Sequence, residues 1–324
     1  MSRYTPAARS LPPSAPDEAA IEASDPTAAA HPVEGVTLLV PAFDEEAGIE
    51  GVLRRLASLE LGVPTEILVV DDGSQDGTGA VLERLAGEID SLRVIAHGAN
   101  RGYGAALATG FGSARHDVVV ITDADGTYPE GRIAELVARV ADGADMAVGA
   151  RTGEAVHVPF VRKPAKWALR RLASYLAGTP IPDLNSGLRA IRREMVLEFR
   201  PILPDGFSFT TTITLAALTN GRRVDYVSVD YAQREGRSKI APMRDTLRFL
   251  ALIVRTVLYF NPLKVFYPIA GLITLALLIS LYYDLVHVDN APNLGDKSVL
   301  LFVSLVQILT IGLIADLIDK KSRL

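Results

Sequence analysis

The chain has 324 residues, 49% of them hydrophobic, and a mean hydropathy of +0.24, which is too apolar for an ordinary soluble domain and points to a membrane component. Its 33 Lys and Arg stand against 38 Asp and Glu, a net charge of −5, so a polyelectrolyte interaction with nucleic acid is excluded and an anionic partner must meet a local basic patch. With no cysteine and five scattered histidines, disulfides, thiolate zinc sites and thiol nucleophiles are ruled out, and a metal would have to sit on carboxylates.

Residues 1–34 are rich in Pro, Ala, Ser and small acids and read as a disordered tail. They lack the basic start and apolar run of a secretory signal, so the following domain is expected in the cytosol. From 35 to 240 short β-branched runs alternate with amphipathic stretches. The runs at 36–40, 66–70, 92–96, 117–121 and 146–149 are nearly all apolar, as strands covered on both faces are. Helical spacing falls between them, at Ile49, Leu53 and Leu56, at Val81, Leu82 and Leu85, and at Ile133, Val137 and Val140. This alternation predicts an α/β fold with a mostly parallel sheet and ligands at the carboxyl ends of its strands.

A basic and aromatic cluster follows. Arg162, Lys163, Lys166, Arg170 and Arg171 lie beside Phe160, Trp167 and Tyr175, a composition suited to a lipid headgroup surface. Residues 241–261 keep helical apolar spacing with arginines on another side and predict an interfacial amphipathic helix. Within 262–318, the uncharged runs 265–283 and 298–315 would each span roughly 27–28 Å as helices, close to the hydrocarbon thickness. Acidic residues populate their connection, whereas Arg255 and Lys264 precede the first run and the basic tail 319–324 follows the second. Two membrane spans with the catalytic domain and both termini cytosolic are therefore expected at the cell membrane.

Two acidic pairs stand at strand ends. Asp71-Asp72-Gly73-Ser74 reads alone as a turn and helix start. Asp123 and Asp125, read as alternate positions of an extended segment, would put two carboxylates on one side of the chain. Such a pair repels itself unless a divalent cation sits beside it, and hard oxygen ligands suit Mg²⁺ or Mn²⁺ and a diphosphate. Gly102-Tyr-Gly104 lacks the third glycine of a dinucleotide fingerprint.

Taken together, Val40-Pro-Ala-Phe-Asp-Glu45, Val69-Val-Asp-Asp-Gly-Ser74 with Asp76-Gly-Thr78, Asn100-Arg-Gly-Tyr-Gly104 and Asp123-Ala-Asp125 give the chain a pattern that resembles the family 2 glycosyltransferases of GT-A fold. Asp183-Leu-Asn-Ser-Gly-Leu-Arg189, Arg234-Glu-Gly-Arg-Ser-Lys239 and Tyr259-Phe-Asn-Pro262 make it similar to the polyprenyl-phosphate hexose synthases, the dolichol-phosphate mannose synthase type. The resemblance implies inverting hexose transfer from a nucleotide sugar, of the GDP-mannose or UDP-glucose type, to a polyprenyl phosphate at the bilayer. It implies that Pro41, Ala42, Glu45, Asp71 and Asp72 hold the nucleoside, that Asp123 and Asp125 bind metal and diphosphate, and that Arg234, Ser238 and Lys239 close over the donor phosphates. The expected catalytic set is Asp123, Asp125, Arg234 and Lys239, and Arg151, Arg170 and Ser174 would receive the acceptor phosphate. Asp44 stands where Asn is common, and Thr127 where Gln often follows the metal pair. A phosphate acceptor is already anionic at neutral pH and needs no enzymic base.

An alternative is a family 2 transferase acting on a lipid or polysaccharide hydroxyl, but the Q-x-x-R-W of processive synthases is missing, since Gln233 is followed by Arg234-Glu-Gly-Arg. A catalytically silent membrane scaffold is the other reading, and the intact acidic pairs argue against it. Homo-oligomer formation is left open.

Overall fold

The structure, a computed structural model, describes residues 32–152, 163–206, 208–230, 251, 253–259, 261–287 and 295–322, with backbone alone at 163–169 and 319–322. Residues 1–31 of the expected tail, the 234–239 loop and most of the expected interfacial helix lie outside these. So do residues 160 and 162, the side chains of Lys163, Lys166 and Trp167, and the connection at 288–294.

The strands β1 (Val36–Ala42), β2 (Thr65–Asp71), β3 (Leu92–Ala96), β4 (Val118–Ile121) and β5 (Met146–Ala150) form where the apolar runs predict them. Two further strands, β6 (Arg189–Arg192) and β7 (Val224–Ser228), complete a sheet of order β3-β2-β1-β4-β6-β5-β7. Every pairing is parallel except those of β6, which runs against both β4 and β5. The carboxyl ends of six strands therefore share one edge. Because β6 is reversed, the residues that precede it, Asp183 to Leu188, arrive at that same edge.

Period-two alternation divides each central strand between two cores. Leu38, Val40, Ile67, Val69, Val118 and Val120 pack under α1 (Ile49–Ala57), α2 (Thr78–Ala86) and α4 (Ile133–Ala141). Leu39, Leu68, Val70, Val119 and Ile121 face α3 (Tyr103–Ser113), α6 (Arg193–Phe199) and α7 (Phe209–Thr219), where Phe111 and Phe209 stack at 6.3 Å. A third cluster joins α5 (Lys163–Ala177) to the C-terminal part of the chain. Ala173, Leu176, Ile181, Leu184 and Leu215 pack with Ile253 and Val257 of the helical stretch 253–259, and Val265 packs on them. Lys264 adds a hydrogen bond from Nζ to the Leu176 carbonyl at 3.0 Å.

Two long helices follow, Leu263–His287 and Asp296–Ser322. Each contains an apolar stretch, of 24 and 23 residues with mean hydropathy 2.1 and 2.4, and only 11% of the most apolar window is buried in either. Core helices of a soluble domain would be covered, so apolar surface left open at this length fits a bilayer. Near the connection Ser298 donates to Asp284 at 2.6 Å and bonds Ser280 at 2.8 Å, which ties the pair together.

Candidate active site

The carboxyl edge is assembled from the ends of β1 to β5 and the loop before β6. After β1 the chain turns at Asp44, whose φ of 53° lies in the left-handed region that Asn and Asp tolerate best among residues with a side chain. That turn is laced to the β2–α2 loop. Asp44 N–H donates to Ser74 Oγ at 3.0 Å, Gln75 N–H to Asp44 Oδ1 at 2.8 Å, and Glu45 N–H to Thr78 Oγ1 at 2.9 Å. Pro41 and Ala42 lie in register with Val70 and Asp71, and the Ala42 carbonyl accepts the Asp72 N–H at 2.8 Å.

The structure separates the roles of Asp71 and Asp72. Asp72 spends both oxygens on the loop after β3: Oδ1 accepts from Arg101 N–H at 3.0 Å and meets His97 Nδ1 at 2.7 Å, and Oδ2 accepts from Gly102 N–H at 2.7 Å. The far nitrogen of His97 meets Thr109 Oγ1 at 2.9 Å. Among the described residues Asp71 accepts from Ser74 N–H and Oγ, both on Oδ1. The turn reading of Asp-Asp-Gly-Ser thus holds for Asp71, while Asp72 is a staple between two loops.

The second acidic pair differs from its sequence reading. The segment after β4 is extended only to Asp123 and turns at Ala124 and Asp125, so the carboxylates are not alternate positions of one strand. Asp123 sits between Tyr103, whose hydroxyl approaches Oδ1 at 3.4 Å, and Gly187 of the loop before β6. A Cβ at Gly187 would lie 2.7 Å from Asp123 Oδ2, so glycine is needed for this approach. Asp125 accepts from Thr127 at Oδ1, at 3.1 Å from N–H and 2.7 Å from the hydroxyl. Thr127, where Gln is the commoner residue, here orients Asp125. Desolvation, with the Asp123 charge beside it, pushes the Tyr103 hydroxyl well above the usual tyrosine range, and burial raises Tyr128 to about 12. Both phenols keep their protons at neutral pH. Tyr128 OH accepts the Gly187 N–H at 2.7 Å, a second tie between this loop and β4.

At the end of β5, Arg151 grips Asp183 with Nε to Oδ2 at 2.6 Å and Nη2 to Oδ1 at 2.9 Å, and its own N–H adds a third bond at 3.1 Å. Burial alone would raise the Asp183 carboxyl, but the guanidinium and the N–H groups of Arg151 and Asn185 hold it at about 2. Ser174 accepts the Ile181 N–H at 3.0 Å. Two of the three residues expected at the acceptor phosphate, Arg151 and Ser174, therefore converge on the segment 181–183. Arg170 lies one helical turn before Ser174 and is exposed. Sequence reasoning gave no role to Asp183, Tyr103, Tyr128, His97 or Arg189. Four of the five fall in or next to the quoted motifs, and His97 had no signal beyond its place just after β3.

The donor set fits a small hard cation. Among the described residues no group of three or more His, Cys, Asp or Glu is close enough to form a metal cage. One or two carboxylates plus the phosphates of a ligand is the arrangement Mg²⁺ ordinarily takes. A hollow of about 560 Å³, lined by Leu56, Leu59, Leu61, Val63 and Ile67, lies at the opposite, amino end of the strands, away from all of these groups.

Residues 37–199, half of the chain, match the family model described as Glycosyl transferase family 2. The chain belongs to that family. This glycosyltransferase also matches the GtrB C-terminal hairpin over residues 261–320, which include both apolar helices. It is 32% identical over 238 residues to the polyprenol monophosphomannose synthase of Mycolicibacterium smegmatis, covering 70% of this chain and 89% of that one. Identity is also 32%, over 311 residues, to the undecaprenyl-phosphate 4-deoxy-4-formamido-L-arabinose transferase of Pseudomonas aeruginosa, with 90% and 86% covered. A solved glucosyl-3-phosphoglycerate synthase from Mycobacterium tuberculosis, in complex with Mn²⁺, UDP-glucose and phosphoglyceric acid, superposes with a TM-score of 0.55 at 20% identity, covering 69% of this glycosyltransferase and 80% of that chain. That likeness establishes the GT-A fold.

Proposed function

We propose that this glycosyltransferase moves a hexose, with inversion, from a nucleotide sugar of the GDP-mannose or UDP-glucose type to a polyprenyl phosphate at the cytosolic membrane face. The reading divides the chain into a tail (1–34), a GT-A domain (35–240), an interfacial helix (241–261), a two-span hairpin (262–318) and a basic tail (319–324). The observation that carries it is the joint between α5 and the first apolar helix. Arg170 and Ser174 lie on the helix whose Leu176 carbonyl is held by Lys264, at the start of that apolar helix. An acceptor whose phosphate sits at the water boundary and whose chain lies in lipid fits that junction. The relatives, which include two kinds of polyprenyl-phosphate sugar transferase, support the same acceptor class.

On the donor side Asp71, whose hydrogen bonds among the described residues fall on Oδ1, is assigned to the base, while Glu45, Pro41 and Ala42 border the nucleoside. Asp72 acts through the loop it staples. Asp123 and Asp125 would hold Mg²⁺ or Mn²⁺, and a cation bound there supplies neutralisation of the charge on the departing nucleoside diphosphate. Arg234, Ser238 and Lys239 are assigned to the donor phosphates from the motif alone. On the acceptor side Arg151 enters as a cation whose plane is fixed by Asp183, and Arg170 adds an exposed charge. A phosphate monoester with a second pKa of about 6 attacks the anomeric carbon without a base. The test is incubation of the purified full chain with UDP- and GDP-sugars and undecaprenyl phosphate, and identification of the product. A sugar phosphodiester of the lipid is expected; transfer to a dephosphorylated polyprenol instead would overturn the acceptor assignment.

A further inference from the structure

Arg189 opens β6 and is completely buried, the largest side chain among the described residues of which this is true. A guanidinium taken out of water is costly unless it is paired, yet among the described residues it makes no ion pair. Its hydrogen bonds go to neutral groups: Nε donates to the Ser186 carbonyl at 2.7 Å, Nη2 to the Leu184 carbonyl at 3.1 Å and Nη1 to Thr214 Oγ1 at 2.6 Å. Asp183, the carboxylate in its surroundings, is taken by Arg151. Burial pulls the Arg189 pKa below the ordinary arginine value. A core position with this geometry would be cheaper to fill with Met or Leu, so stability alone does not account for a cation here.

The two carbonyls it holds flank Asn185, inside the short loop that serves both halves of the site. One end of the loop carries Asp183, which orients Arg151; the other carries Gly187, which lies against the Asp123 carboxylate and is tied to Tyr128. Ser186 is further anchored to the Gly149 carbonyl at 2.5 Å. We propose that Arg189 is a positioning residue: by clamping the carbonyls of Leu184 and Ser186 it sets the loop that aims Asp123 at the cation–diphosphate group and Arg151 at the acceptor. The inference rests on the proposed reading only in taking this edge as the binding site for both substrates.

The test uses the full chain in detergent and measures binding of UDP and of GDP by calorimetry, with Mn²⁺ and with EDTA, alongside thermal unfolding. Variants are Arg189→Met, Arg189→Lys and Thr214→Val, the last removing an anchor of the guanidinium without touching the loop. The wild type is expected to bind one nucleotide more tightly with Mn²⁺. Arg189→Met is expected to keep the metal-free affinity and lose about ten-fold of the Mn²⁺-dependent gain, the low end for disturbing a group that orients a metal ligand. Arg189→Lys and Thr214→Val should lose less, and in the same metal-dependent part. A purely structural role would lower the unfolding temperature and leave the Mn²⁺-dependent gain of the folded fraction intact, which overturns the proposal, as does a wild type indifferent to Mn²⁺. If Arg189→Met does not fold, an unchanged gain in both of the other variants overturns it equally. Absence of a glycolipid product from wild type, with these binding results in place, would refute the acceptor assignment and not the role of Arg189.

Discussion

Replacing Asp183 with Asn keeps the shape of the side chain and removes its charge, leaving the Arg151 guanidinium, itself only 19% exposed, without its carboxylate. A carboxyl held at about 2 against an ordinary value of 3.8 corresponds to about 2 kcal/mol of folding free energy at neutral pH. Breaking a buried pair from one side typically costs about 3–5 kcal/mol, and since Arg151 keeps some contact with water the lower end applies, so a loss of about 2–3 kcal/mol is expected. For a domain of this size that is a fall in Tm of roughly 5–10 °C. The pH dependence has a definite sign. Because the folded value lies below the unfolded one, the stabilisation is complete above about pH 4 and disappears as the pH falls toward about 2. Wild type should therefore lead Asp183→Asn by a constant margin between about pH 5 and 8, and the two should converge only in the acid window. Thermal unfolding in detergent, followed by the fluorescence of Trp167, measures this, and a cycle with Arg151→Met isolates the pair. A Tm change below about 2 °C at pH 7, or single-variant effects that add to within about 0.5 kcal/mol, would refute the coupling.

Other perturbations address the site and its setting. Asp125→Ala is expected to reduce turnover below about a tenth of wild type and to flatten its Mn²⁺ dependence; Thr127→Val, which removes one hydrogen bond to the same carboxylate, should weaken the cation about ten-fold in a metal titration. Arg170→Ala should raise KM for the lipid phosphate and leave that for the nucleotide sugar unchanged, and the opposite pattern would mean that donor and acceptor sides have been exchanged. A cysteine placed at Asn290 should react with an impermeant thiol reagent applied from outside intact cells, whereas one at Ser322 should not; equal reactivity would contradict the two-span hairpin.

Five of the seven strands were legible: β1, β2, β4 and β5 are buried nearly throughout and read as apolar runs, and β3, an edge strand with Arg93 inside it, still keeps four apolar residues of five. β6 was not, since Arg189-Ala-Ile-Arg192 is short and has an arginine at each end, one of them buried in a way that no hydropathy pattern encodes. β7, Val224–Ser228, is an edge strand with polar residues interleaved and gives a weak signal. Asp71, Asp72, Asp123 and Asp125 were singled out from sequence, but Asp183 was given no role there, and the different bonding of the four was not legible. Asp71 and Asp72 are adjacent and chemically identical, and what separates them is the position of Arg101 and Gly102, which only the tertiary fold fixes. Asp123 and Asp125 were read as an extended pair, whereas Ala124 and Asp125 form a turn and Thr127 holds the second carboxylate.

The reversal of β6 also bears on how the chain comes to be folded. Strands β1 to β4 can pair as soon as residue 121 is available, but β4 then presents an open edge of four consecutive β-branched residues until Arg192 has been made. At ordinary synthesis rates those roughly seventy residues take about 4–14 s, during which Val118–Ile121, paired to β1 on one side, offers an open edge of the kind that recruits other chains. β5 gains no relief from its own synthesis, since it joins the sheet only through β6 and β7. In chain order, therefore, all the strands of the half that carries Asp71 and Asp72 are made first, and the half that carries Arg151 and Asp183 is joined to them through a strand that runs the opposite way.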